Sequence, residues 1–172
     1  MVKDRAACFA NDIKGWTLPL LEVLYITNLS AFIEGNHTYI DPWMSRVDQK
    51  LIELDKNGSF YWDKYAYVIF FKAFLFKLQG DWEEALSLLH EVLSLENIIE
   101  RETHLIPQSC YEIALINRKN LKEPEAKRWL NKACKYTGYV TQDLLEWRCK
   151  YALEHMKPMQ YDIPDKICDL PL

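Results

Sequence analysis

Four histidines, His37, His90, His104 and His155, are the first residues to test for metal chemistry. None has a second histidine or a cysteine at ligand spacing on its own helix face, so the sequence assigns no metal site. Five cysteines stand at Cys8, Cys110, Cys134, Cys149 and Cys168. The number is odd and no pair has Cys-x-x-Cys spacing, which argues against a disulfide framework and for a reducing compartment. Cys110 with Glu112 and His104 has the residue types of a thiol nucleophile with its base. Helical periodicity, however, puts Cys110 on a packing face, where a cysteine is an inert small hydrophobe. Glu83-Glu84 is a carboxylate pair in name only: the two point to different sides of a helix and suit the positive end of its dipole. There is no glycine-rich phosphate loop and no Gly-x-Ser-x-Gly elbow. No catalytic residue, metal or cofactor is therefore assigned, and the chain is expected not to be an enzyme.

Composition narrows the class further. The chain has 172 residues, 49% hydrophobic and 13% aromatic, enough to bury a core without covalent staples. A net charge of −4 gives no basic surplus for nucleic acid, and no polybasic run suits an acidic membrane. The most apolar run, YAYVIFFKAFLFKL at 65–78, is shorter than the roughly 20 residues of a membrane span and carries Lys72 at its centre. It reads as a buried helix. The opening MVKDRAACFANDIKG lacks an apolar leader segment. Secretion is therefore not expected, and the sequons at Asn28, Asn36 and Asn57 are expected to be chance matches.

Only five glycines and seven prolines interrupt the chain, so long helices with short joints are expected. A weak helical segment over 1–15 is followed by a helix from Leu18, capped by Thr17 and ended by Gly35. Asp41-Pro42 is expected to open the next helix, with Pro at its first position, and Asn57-Gly58 to close it. An aromatic helix follows over roughly 60–79. Gly80-Asp81 then turns the chain sharply, Asp81 serving as N-cap of a helix over 82–95. Residues 96–103 form a connector or a frayed helix end. Further helices are expected over about 104–119, 122–137 and 141–155. The tail 157–172 carries three prolines and reads as irregular or disordered. No strand is expected.

Small and apolar markers repeat along this series. Ala73, Gly80, Ala85, Leu89 and Val92 are separated by steps of 7, 5, 4 and 3, and Ala114, Leu121, Ala126, Leu130 and Ala133 repeat those steps 41 residues later. Small residues at 73 and 85, and at 114 and 126, let the two helices of a hairpin approach closely. These are marks of the tetratricopeptide repeat, whose usual period of about 34 implies an insertion of about seven residues, placed at 96–103. The expected fold is all-α: antiparallel helical hairpins stacked as a tetratricopeptide-like right-handed solenoid over 16–156.

The stretches LPLLEVLYITNLSAFIEG, FYWDKYAYVIFFKAFLFKLQGDWEEALSLLHEVL and HLIPQSCYEIALI carry a closer likeness. They hold Leu20-Leu21-Glu22 with Tyr25-Ile26 and Asn28, the Lys72-to-Gly80 run, and Leu105-Ile106-Pro107 with Cys110-Tyr111-Glu112-Ile113-Ala114. Over about residues 2–155 the chain resembles the C-terminal part of the tetratricopeptide repeat protein 39 family, which is related to the fungal inclusion-body clearance proteins. Members are longer on the N-terminal side, so the resemblance implies a fragment or a short relative. It implies a cytoplasmic interaction scaffold, with lipid homeostasis or aggregate clearance as its setting and a membrane or lipid-droplet periphery as a second location. It supplies no catalytic residues.

In such a solenoid the first helices of successive hairpins line a concave groove. The register puts Tyr67, Phe70, Phe71, Phe74, Lys77 and Leu78 on that face in one unit. In the next it puts Gln108, Tyr111, Glu112, Leu115, Arg118 and Lys119 there. Some repeats hold chaperone C-terminal carboxylates with Lys and Asn at these places; Phe70, Phe74 and Tyr111 cannot build that clamp. An open aromatic groove would suit a partner's apolar or amphipathic helix. The alternative is that residues 18–55 cover these aromatics and make them core. Two functions follow as expectations: a scaffold docking a protein or peptide in the groove, or a lipid-handling protein with an apolar cavity. Exposed solenoid ends would also permit self-association.

Overall fold

The computed structural model describes residues 18–156. The expectations for 1–15, Thr17 and the tail 157–172 lie outside the described residues, as do Cys8 and Cys168. Within them the chain is all-α: seven α-helices, one 3-10 turn and no strand. The helices are α1 Pro19–Ile26, α2 His37–Glu53, α3 Tyr61–Gln79, α4 Trp82–Ser94, α5 Leu105–Lys119, α6 Glu123–Ala133 and α7 Gln142–Glu154. No helix among the described residues is long and apolar enough to cross a membrane.

The first third departs from the expected boundaries. The helix expected to run to Gly35 breaks at Asn28, whose φ of 57° is left-handed, and resumes as the 3-10 turn Leu29–Phe32. Asparagine tolerates that backbone better than most residues, and the Thr27 hydroxyl already bonds the Val23 carbonyl at 2.6 Å, helping to end the ladder. Next, α2 starts at His37, not at Pro42. The Asn36 side chain caps it by accepting the Thr38 N–H at 3.2 Å, leaving Pro42 inside the helix on an exposed face. That helix also stops at Glu53. Asn57-Gly58 belongs to a separate turn, in which the Asn57 N–H bonds the Asp55 side chain and the Gly58 N–H bonds the Asp55 carbonyl.

The two later joints are alike in backbone detail. Gly80, at φ 92°, donates to the Lys77 carbonyl at 3.1 Å, and the Asp81 N–H donates to the Phe76 carbonyl at 2.9 Å. Forty-one positions on, Leu121 at φ 59° donates to the Arg118 carbonyl at 3.0 Å, and Lys122 donates to the Asn117 carbonyl at 2.9 Å. Both are two-bond helix terminations of the Schellman kind. Asp81 occupies the N-cap position, but its side chain makes no cap bond; its carbonyl accepts from Ala85, as that of Lys122 accepts from Ala126. Leu121 carries a side chain where the backbone favours glycine, and that side chain is mostly exposed. Leu121→Gly is therefore expected to stabilise the fold by about 1 kcal/mol in urea titration, because it relieves the left-handed cost without removing packing.

The marker residues pack as their sizes demand. Ala73, Ala85 and Val92 are fully enclosed, as are Ala114, Ala126, Leu130 and Ala133, with Leu89 nearly so. Helix α3 packs on α4 and α5 on α6, each pair across one tight turn, and α4 packs on α5 to join the pairs. A third set of the same steps, 5, 4 and 3, runs through Gly35, Ile40, Met44 and Val47, 45 positions before Gly80, Ala85, Leu89 and Val92. Ile40 and Val47 are fully buried, Met44 packs against the same core, and α2 lies on α3. Sequence reading missed this set because Ile40 is large where the other units are small, and because the preceding helix is broken.

Residues 95–104 form an irregular connector pinned from beneath. The Asp63 carboxylate is buried and accepts three consecutive backbone N–H groups, from Glu100 at 3.1 Å, Arg101 at 2.6 Å and Glu102 at 2.9 Å. Ile99 is inserted into the core beside it, and the Arg101 guanidinium lies 3.4 Å from the centroid of the Phe60 ring. The insertion expected at 96–103 is thus an ordered strap across the first turn of α3.

Candidate functional site

The four α3 aromatics expected to line an open groove, Tyr67, Phe70, Phe71 and Phe74, are all buried. The reason is α1. Its Tyr25 ring meets Phe70, Phe71 and Phe74 edge-on, at centroid distances of 5.3, 6.3 and 5.1 Å. From the next turn back, Glu22 accepts a hydrogen bond from the Tyr67 hydroxyl at 3.2 Å. The aromatic groove is therefore corrected to core: edge-to-face ring contacts and apolar burial hold α1 against the place where a partner helix was expected.

The polar members of the expected groove are drawn into the same closure. Lys77 and Glu112 form an ion pair that is largely buried, and Lys77 also lies over the Phe74 ring at 5.4 Å. Gln108 and Leu78 are buried, and Tyr111 and Leu115 are half-buried. Burial first, and the neighbouring Glu112 charge second, push the Tyr111 hydroxyl up to about 12. The same two causes raise Tyr25 well above the ordinary tyrosine range; its hydroxyl makes no hydrogen bond of standard geometry, although Glu112 lies near enough to act on it. From α7, Arg148 donates to the carbonyls of Ile26 at 2.6 Å and Tyr25 at 3.3 Å, and stands over the Tyr25 ring at 5.7 Å. A cation at the C-terminal end of α1 is where the helix dipole favours one. Arg118 bonds the His155 carbonyl at 3.3 Å, and Lys119 lies over Trp82 at 5.9 Å. Helices α1 and α7 thus meet through Arg148.

A small pocket of about 50 Å³ lies between α1, α3, α5 and residues 140–141, lined by Glu22, Tyr25, Phe71, His104, Gln108 and Thr141 among others. That volume suits a water molecule or two, not a substrate. The residues considered for thiol chemistry are engaged apart from one another. His104 pairs with Glu102 at 3.4 Å, and Glu112 is held by Lys77. Cys110 sits in a core cluster with Ala126 and Leu130, where burial pushes its thiol up to about 11. Glu83 and Glu84 are exposed at the start of α4. Among the described residues no group of three or more His, Cys, Asp or Glu is placed to hold a metal ion.

A surface that sequence reading missed lies on α7. Trp147, Tyr151 and His155 recur every four residues and form an exposed ladder, Trp147 at 63% and Tyr151 at 52% of full exposure. Trp147 and Tyr151 stack at 5.7 Å with 23° between planes, and Tyr151 and His155 at 4.0 Å with 28°. The opposite face of α7 is anchored through Leu145, Cys149 and Ala152, which join the α5–α6 core. Leu145 and Cys149 stand 35 positions after Cys110 and Ala114, so the register carries over. In that register Trp147 and Tyr151 match Glu112 and Ile116 on α5, and Phe71 and Leu75 on α3. Those four are all buried. The spacing Trp-x-x-x-Tyr-x-x-x-His was the available signal.

No family model matches the chain, and no solved structure matches it.

Proposed function

We propose that the chain is a non-catalytic interaction scaffold, a tetratricopeptide-like right-handed solenoid that docks a helix of a protein partner on the Trp147–Tyr151–His155 face of α7. The observation that carries this reading is the register: positions enclosed by packing in α3 and α5 hold exposed aromatic rings in α7. The paired helix terminations at Gly80 and Leu121 support the repeat, as does the third set of markers from Gly35. A helix is the favoured occupant because helices are what cover the matching positions inside the array, and stacked aromatic rings serve as anchor residues. The resemblance to the tetratricopeptide repeat protein 39 family, and a cytoplasmic location, belong to the same proposal.

The lipid-handling reading is the weaker one. A bound lipid needs a pocket of several hundred Å³, and the pocket between α1, α3 and α5 offers about 50 Å³. Lipid contact would then fall to exposed apolar side chains such as Leu20, Val23 and Phe32.

The test is proximity capture by wild type, Trp147→Ala/Tyr151→Ala and Phe32→Glu, each first shown to be folded by circular dichroism. Loss of one anchor pair worth about 2 kcal/mol corresponds to roughly 30-fold weaker capture. Partners retained by Phe32→Glu and lost by the α7 variant are the expected result. Identical partner sets from all three proteins would sink the reading.

A further inference from the structure

Charge is divided between two neighbouring helices. Residues 78–100, which include α4, hold six Asp or Glu and no Lys or Arg. Residues 118–135, which include α6, hold seven Lys or Arg against two Glu. One of those two, Glu125, is taken by Arg128 at 2.8 Å. Among the described residues no carboxylate pairs with Lys119, Lys122, Lys127, Lys132 or Lys135. Asp81, Glu83 and Glu84 stand exposed at the start of α4, and Lys119 and Lys122 stand exposed just before α6. Ala85 and Leu89 fix the inward face of α4, and Ala126 and Leu130 that of α6, which leaves Glu83, Ser87, Arg128 and Lys135 outward.

Three contacts show how the two helices lie. Lys119 stands over the Trp82 ring at 5.9 Å at their starts, His90 meets Trp129 at 5.6 Å at their middles, and the Tyr136 hydroxyl donates to Glu96 at 2.8 Å beyond their ends. The helices therefore run side by side in one direction, an acidic stripe beside a basic one. Such a face is complementary to itself. A two-fold axis along the seam lays the acidic stripe of each copy on the basic stripe of the other, start against start.

We infer that the outer face of α4 and α6 is a self-association surface, occupied by the same face of a second copy. Glu83 and Glu84 of each copy then meet Lys119 and Lys122 of the other. A foreign polyanion fits less well. Helix α6 is only about 16 Å long, so a membrane or duplex laid on it also meets Asp81, Glu83 and Glu84, in a chain of net charge −4. The two helices together span about 20 Å by 20 Å. That is at the small end for specific pairing, so the dimer is weak and its charge pairs are screened by salt.

The experiment is sedimentation of the full chain over a concentration series at about 50 mM and about 500 mM sodium chloride. Charge-reversed variants are included, each first shown to be folded by circular dichroism. Wild type is expected to dimerise at low salt and to weaken about tenfold or more at high salt. Glu83→Lys/Glu84→Lys makes both helix starts basic, and Lys119→Glu/Lys122→Glu makes both acidic, so each variant alone is expected to be monomeric. Mixed one to one, the two variants are expected to form a dimer with each other. Wild type that stays monomeric at low salt overturns the inference; capture of a poly-glutamate peptide by that monomer would give the basic stripe to an acidic partner instead. A dimer that persists in both variants also overturns it, and its loss in Trp147→Ala/Tyr151→Ala would move the contact to the ladder on α7. Growth beyond a dimer contradicts the two-fold arrangement.

Discussion

Replacing Phe70 with Ala is expected to lower the unfolding free energy by about 3–5 kcal/mol, read as a shift of the urea midpoint at unchanged slope. The Phe70 ring is fully enclosed and meets Tyr25 at 5.3 Å and Phe71 at 5.4 Å, both edge-on. Removing it leaves a void that α1 can collapse into only by abandoning the Arg148 bonds to its last carbonyls. A residue lining an open trough would behave differently: substitutions at such a surface change stability by about 0.5 kcal/mol or less. The size of the effect therefore separates core from groove without any knowledge of a partner. A change below about 1 kcal/mol would contradict the packing of α1 on α3.

Asp63→Ala is expected to cost about 3 kcal/mol. One buried carboxylate satisfies three backbone donors of the connector, and a hydrogen bond to a charged acceptor contributes more than a neutral one. Without it the donors must rehydrate, which draws residues 100–102 away from the core and exposes Ile99. A second readout follows from that movement: trypsin cleaves after Arg101 faster in the variant than in wild type. Asp63→Asn keeps one acceptor oxygen without the charge, and about half the loss is expected to return. Equal stability and equal cleavage in Asp63→Ala and wild type would show that the strap is held by Ile99 and the Arg101–Phe60 contact alone.

These two residues also mark the limits of sequence reading. Helices α3 to α7 were legible to within a few residues, because Gly80-Asp81 and the alternation of small and large apolar residues leave little choice of register. The closure of the aromatic face was not. An apolar helix such as 61–79 has nearly equal claims to line a groove or to sit in a core, and the answer lay in Tyr25, which a broken helix brings back onto it. Asp63 carried no signal, since an acid in a first helical turn already has a reason to be there. The connector it anchors lies 37 to 39 residues away in sequence. The start of α2 went wrong for a local reason: Asp41-Pro42 has the composition of a helix start, but Asn36 is a better cap five residues earlier. The ladder on α7 was visible as spacing, yet its meaning required the burial of its register partners on α3 and α5.

Helix α1 covers the aromatic face of α3 and leaves Trp147 and Tyr151 of α7 exposed. The most direct measurement is a nuclear Overhauser experiment on the full chain with selectively labelled tyrosine and phenylalanine. Cross-peaks are expected from the Tyr25 ring to the rings of Phe70, Phe71 and Phe74, all within 6.5 Å by centroid. None of these contacts is expected for Tyr151. Absence of the Tyr25 cross-peaks, with Phe70 and Phe74 open to a soluble paramagnetic probe, would contradict the packing of α1 on α3.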